Sequence, residues 1–168
     1  MTEIKKKDIH TISILVSNKP GVLVRCAQVF ARRGFNIDAL VVSATVNPKY
    51  SRMTITAQGD PQTLEQIIKQ SAKLIDVIHV SEHTGIDSLS KEYALIKIKT
   101  TSQNKASIMK LAKKFHVKVV DTTDNIFIVE QAGTSDELDR FEVEMKKFQV
   151  LEMVRSGKLV MAKGKETT

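Results

Sequence analysis

Residues 10–46, HTISILVSNKPGVLVRCAQVFARRGFNIDALVVSATV, decide how the rest of the chain is read. His10–Val16 is β-branched and alternates, which predicts a strand. Ser17-Asn18-Lys19-Pro20-Gly21 breaks it with turn residues. From Pro20 to Gly34 the apolar side chains Val22, Leu23, Cys26, Ala27, Val29 and Phe30 recur at three-to-four spacing, so one face of a helix is apolar. Pro20 stands where helix starts favour proline, and Gly34 where helix ends favour glycine. Asn36–Val46 is again strand-like. A strand, a helix and a strand in 37 residues is the opening of an α+β sandwich.

Downstream, Asn47-Pro48-Lys49 is a turn between Asn36–Val46 and a further strand at Tyr50–Ala57, which together make a hairpin. Asp60 can cap a helix that begins at Pro61 and buries Leu64, Ile67, Ile68 and Leu74. Val77–Ser81 closes the set. The order βαββαβ is that of the ferredoxin-like fold, with helices on one face of an antiparallel sheet.

The same order recurs downstream. Glu92–Lys99 reads as a strand, Ser107–Phe115 as a helix through Ile108, Leu111, Ala112 and Phe115, and Val117–Val120 with Ile126–Val129 as strands around Asp124-Asn125. Thr134 or Ser135 starts a final helix through Leu138, Phe141 and Met145, and Val150–Val154 is the last strand. The expected organisation is two tandem ferredoxin-like βαββαβ domains, at 1–83 and 91–168. The short polar stretch 84–90 links them, and Lys163–Thr168 is a frayed tail.

Composition narrows the function classes. The 168 residues are 42% apolar and 27% charged, enough for packed cores. The single Cys26 allows no internal disulfide and falls on the apolar helix face, where an inert buried thiol is expected. The start MTEIKKKD has no signal-peptide pattern, and no apolar run is long enough to span a membrane, so a cytoplasmic protein is expected. The formal charge of +7 raises nucleic acid as a partner. That charge is spread over both halves, however, and Lys5-Lys6-Lys7, Lys113-Lys114 and Lys146-Lys147 read as solvated runs. Base-stacking sheets need exposed aromatics. Here aromatics are 5% with no Trp, and YSRMTITA has none after Tyr50, so a nucleic-acid-binding module is the alternative rather than the expectation.

No catalytic constellation or phosphate loop stands out. His10, His79, His83 and His116 lack metal spacing and are expected at the surface, with no metal and no cofactor. An acyl-phosphate hydrolase on this fold would need a base converging on an anion loop, and the sequence offers none. The turn Asn18–Val22 is more informative. It ends a strand and opens a helix, so free N–H groups and the positive end of the dipole converge on a spot suited to a carboxylate. Gly21 lets a ligand approach the main chain, and Asn18 offers a donor and an acceptor. The plain account of the same residues is that Asn18 caps the helix and Gly21 permits close packing. At the next turn Asn36 and Ile37 follow Gly34. In this topology they are expected close to the first loop, where Asn36 can offer its carbonyl to an ammonium group and complete a site for a free α-amino acid.

Together NKPGVL (18–23), RRGFNI (32–37), SRMTI (51–55), AGTSDELDRF (132–141) and VLEMVRSG (150–157) resemble the regulatory small subunit of acetolactate synthase, also called acetohydroxyacid synthase. The likeness covers nearly the whole chain, and its first half resembles an ACT domain. It implies a non-catalytic partner of a thiamine diphosphate-dependent catalytic large subunit in branched-chain amino acid synthesis, one that activates it and confers feedback inhibition by valine. It also implies a homodimer through ACT domains. Valine would sit at their interface between Asn18, Gly21 and Val22 of one chain and Asn36 and Ile37 opposite. The sequence departs from the family's pattern at Gln149, where a glycine is usual, and at Lys163, where an arginine is usual.

Overall fold

The computed structural model describes residues 9–85 and 87–168. The alternating run becomes β1 (Ile9–Ser17), with Ile12, Ile14 and Val16 fully buried on one face. That face meets α1 (Val22–Ala31), whose Val22, Cys26, Val29 and Phe30 turn inward as their spacing requires. The chain returns as β2 (Ile37–Ala44), β3 (Tyr50–Gln58), α2 (Pro61–Ser71) and β4 (Val77–Glu82). The sheet order is β2-β3-β1-β4, all neighbours antiparallel. Ile12 opposite Ile55 and Ile14 opposite Met53 place four apolar side chains under the helices. Each such fully buried side chain contributes about 1.5–3 kcal/mol relative to exposure.

The second copy comprises β5 (Ser88–Lys99), α3 (Lys105–Lys114), β6 (Lys118–Asp121), β7 (Ile126–Gly133), α4 (Ser135–Met145) and β8 (Val150–Arg155), in sheet order β6-β7-β5-β8. Ile96, Ile98, Ile108, Phe127, Val129, Phe141 and Met145 form its core. Phe115 and Phe141 meet at 5.3 Å between ring centroids, tilted by 52°. The fold is therefore α+β, with two βαββαβ sandwiches in tandem.

Some boundaries differ from the sequence reading. One compact unit contains the described residues up to Ser90 together with Gly157–Thr168, and the other is Lys91–Ser156. The stretch expected as a linker at 84–90 is shorter, because β5 begins at Ser88. The second unit ends at Ser156 rather than running to 168. Beyond it an unforeseen strand, β9 (Leu159–Ala162), pairs with β5.

The expected frayed tail is likewise anchored. Lys163 N–H donates to Asp87 O at 2.9 Å, Ala162 N–H donates to Thr168 Oγ1 at 2.7 Å, and Thr168 is buried while its O accepts from Arg52. Gly157 carries φ 79, and a Cβ there would stand 2.8 Å from Ala39 Cβ, so glycine serves both the turn and the approach. At the departures from the family pattern the main chain is bonded: Gln149 O accepts from Lys99 N–H at 2.9 Å, and Lys163 N–H donates to Asp87 O. The MTEIKKKD start and the run Lys5-Lys6-Lys7 lie outside the described residues.

Candidate functional site

The turn from β1 into α1 is held from two sides by backbone. Ser17 N–H donates to Asp76 O and Asn18 N–H to Lys49 O, both at 2.8 Å. Gly21 is the N-cap, with φ 81 and ψ −10 in the left-handed region, which costs an L-residue roughly 1–2 kcal/mol. It supplies no side-chain cap, and no acidic residue stands in the first helical turn. Asn18 does not cap the helix either. Its Nδ2 donates at 3.0 Å to Pro48 O in the β2–β3 hairpin, while Oδ1 has no partner among the described residues.

The amides of Gly21, Leu23 and Val24 also have no partner among the described residues, and Val22 N–H makes only a long 3.4 Å bond to Lys19 O. These donors lie at the positive end of α1, so the turn presents partial positive charge suited to a carboxylate. Val22 itself is buried in the core, so what it can offer a ligand is its backbone. Behind the turn Arg25 Nη2 lies 2.5 Å from Asp76 Oδ2. Burial pushes the neighbouring Cys26 thiol up, against the pull of Arg25, and the thiol is protonated and inert at neutral pH.

Asn36 and Ile37 are not beside this turn in the same chain, contrary to the sequence expectation. Ile37 pairs with Ala57, which pairs with His10, whereas the turn follows Ser17, which pairs with Tyr50. At about 3.3 Å per residue the two ends of the sheet are roughly 20 Å apart. The helix α1 carries the chain back along the sheet, so the start of β2 lies at the opposite end from the close of β1. Asn36 is exposed and its Nδ2 donates to Asp38 Oδ1 at 3.2 Å, while Ile37 packs against the core.

Sequence reasoning missed the contributions of Pro48 and Asp76, which position the turn through backbone oxygens or an ion pair. No local pattern signals either, because both come from turns far along the chain, before β3 and before β4. It also expected His10 at the surface. His10 is buried, its ring nitrogens within 3.1 Å of Glu82 Oε1 and 3.2 Å of Gly59 O. Among the described residues no group of three His, Cys, Asp or Glu side chains is arranged to hold a metal ion, and no helix is long and apolar enough to cross a membrane.

Comparison with known proteins bears directly on these observations. Residues 12–79 match the family described as AHAS small subunit-like ACT domain, and residues 91–164 match the small subunit of acetolactate synthase. A probable acetolactate synthase small subunit from Archaeoglobus fulgidus is 42% identical over 155 residues, 92% of this chain and 97% of that one. The acetolactate synthase small subunit of Mycolicibacterium smegmatis is 39% identical, covering 92% of this chain and 91% of its own. A crystal structure of the small subunit from Thermotoga maritima superposes with a TM-score of 0.85 at 35% identity, over 95% of this chain and 99% of that one. With both units matched and relatives aligned along nearly their full lengths, this chain belongs to the family of acetolactate synthase small subunits.

Proposed function

We propose that this chain is a non-catalytic regulatory subunit that activates a thiamine diphosphate-dependent acetolactate synthase catalytic subunit and makes it sensitive to valine, in the cytoplasm. The observation that carries the reading is the sheet register. β2 has β3 on one side and no strand on the other among the described residues, with Leu40 and Val42 exposed. An open edge of this kind pairs readily with another strand.

A second copy that adds its β2 antiparallel about a two-fold axis brings the start of its strand opposite Ala44. Ala44 pairs with Ser51, next to Tyr50 and hence to Ser17. Asn36 and Ile37 of the partner subunit then come to the turn at Asn18 and Gly21, although within one chain they are far apart. In the assembled site the amides of Gly21, Leu23 and Val24 hold the valine carboxylate. Asn18 Oδ1 and the carbonyl of the partner's Asn36 take the ammonium group, and apolar neighbours take the isopropyl group. The effector site is thus incomplete in a monomer.

Acetolactate formation by the catalytic subunit, assayed with and without this chain and then with valine, tests the reading. A rate increase on adding the chain and its reversal by valine are expected. No increase at saturating chain overturns the activating role, and a monomer by sedimentation at micromolar concentration overturns the shared site.

A further inference from the structure

Gln131 stands in the second unit where the sheet otherwise offers apolar groups. Phe127, Val129 and Gln131 alternate along the buried face of β7, and Gln131 is only 7% exposed. Its Oε1 is closed to solvent and accepts no hydrogen bond from any described residue. A buried acceptor left without a donor is uncommon in folded proteins and calls for a specific account.

The same residue is part of the wall of a cleft of about 360 Å³, at the small end of the range for ligand pockets. Lys91, Lys114, His116 and Arg140 surround it, and Glu137 is its acidic member. Glu137 already accepts from Thr134 N–H at 2.7 Å and lies 3.6 Å from Lys91 Nζ, so this acid and one lysine offset each other. Lys114 and Arg140 are not offset in that way, since neither has a carboxylate within 4.0 Å among the described residues. Lys114 Nζ lies 5.5 Å from the centroid of the Phe115 ring. Arg140 donates through Nε to Asp136 O at 3.1 Å, and its two terminal nitrogens have no partner among the described residues.

The geometry points to a second small-molecule site in this unit, a cleft for a 2-hydroxy or 2-amino carboxylate whose acid group meets Lys114 and Arg140 and whose hydroxyl or ammonium donates to Gln131 Oε1. It goes beyond the regulatory reading above and involves no residue of the first unit. A simple carboxylate satisfies the two cations but leaves Gln131 without a donor, which is why a donor on the adjacent carbon belongs to the ligand. The terminal torsion of a glutamine is soft, so an occupant of the cleft can draw the carboxamide toward it.

The test uses the full chain, 15N-labelled and titrated separately with lactate, alanine and propionate, following backbone amides and the Gln131 side-chain NH2 resonances. Lactate or alanine is expected to give saturable shifts at Gln131, His116 and Arg140, with affinity about tenfold above that of propionate. The tighter of the two tells whether the donor is a hydroxyl or an ammonium. Arg140→Gln, at an exposed helix position, is expected to weaken lactate and propionate alike by about tenfold. Gln131→Leu should bring lactate down to the level of propionate without lowering the melting temperature. Shifts that do not saturate, equal affinity for propionate in the unsubstituted chain, or saturable shifts confined to residues 18–24 overturn the proposal. The comparison in the unsubstituted chain decides the matter even if a variant misfolds.

Discussion

The two units solve one problem with opposite charges. On each central strand a buried polar side chain reaches the end of β4 or β8, the strand beside it. In the first unit this is His10 on β1, 3.1 Å from Glu82 on β4. In the second it is Glu92 on β5, which accepts from Arg155 on β8 through Nε at 3.1 Å and Nη2 at 2.7 Å, and also from Ser135 Oγ. Arg155 further lies 2.5 Å from Asp139 and 3.5 Å from Glu142. The first pair joins an imidazole to a carboxylate, whereas the second joins a guanidinium to a carboxylate and is networked. Both units therefore tie this corner with a polar pair, of different charge and strength.

The first strand-to-helix turns differ as well. After β5, Asn104 Oδ1 accepts from Thr101 N–H at 2.7 Å, its Nδ2 donates to Lys99 O at 3.4 Å, and Thr101 Oγ1 accepts from Asn104 N–H at 3.3 Å. That loop closes on its own side chains. After β1 the cap is a glycine, and Asn18 bonds across to the hairpin at Pro48 instead. Closing a loop on itself uses up its polar groups; tying it to neighbouring strands leaves some facing outward. That contrast supports placing the proposed valine site at the turn after β1 and not at its counterpart after β5.

Removing the cation of the second corner should have the strongest consequence. Arg155→Met leaves Glu92 buried without its cation and should destabilise the chain by about 3 kcal/mol, measured by urea unfolding. His10→Leu in the first unit should cost only about 1 kcal/mol, the usual worth of a hydrogen bond. Equal losses would mean that the two corners are equivalent after all.

The turn comparison is broken most strongly by Gly21→Asp. It adds a carboxylate at the place proposed for the ligand's, at φ 81 and with a Cβ 3.1 Å from Arg25 Nη1. Valine inhibition of the reconstituted enzyme should weaken by about a hundredfold or more while activation survives. Asn36→Ala should be milder, roughly tenfold to a hundredfold in valine affinity, as for one hydrogen bond to a charged group. Thermal melts alongside show whether either change acts through folding, and full valine sensitivity in both variants would remove the assigned site.

The smallest effect concerns acid. The carboxyls of Asp60 and Glu137 are held below their ordinary values of 3.8 and 4.5, mainly by the backbone N–H groups of Thr63 and Thr134. A depressed value means stabilisation that is present above the ordinary pKa and lost as pH falls through the folded one. Amide shifts of Thr63 and Thr134 should therefore titrate with midpoints below those values. Helix α1, capped by glycine, should show no such step from a capping carboxylate.

Much of this molecule is legible one segment at a time. Alternation in His10–Val16, three-to-four spacing from Val22 to Phe30, the Asp60-Pro61 start and the Thr134-Ser135 start each specify local structure, because these signals lie within one segment of backbone. Repetition of the same order specifies the second unit, and the quoted motifs identify the family. Other features depend on which distant segments meet, and only the tertiary structure decides them. The residues of β9 are too few to show a period, and Leu159–Ala162 becomes a strand only because β5 offers a partner. Gly157–Thr168 joins the first unit through contacts with residues more than a hundred positions away, such as that between Arg52 and Thr168. Asn18 bonds Pro48 rather than capping its own helix, and the same sheet register that makes this pairing sets Asn36 at the far end. Such choices follow from the free energy of non-local contacts, which no window of sequence contains.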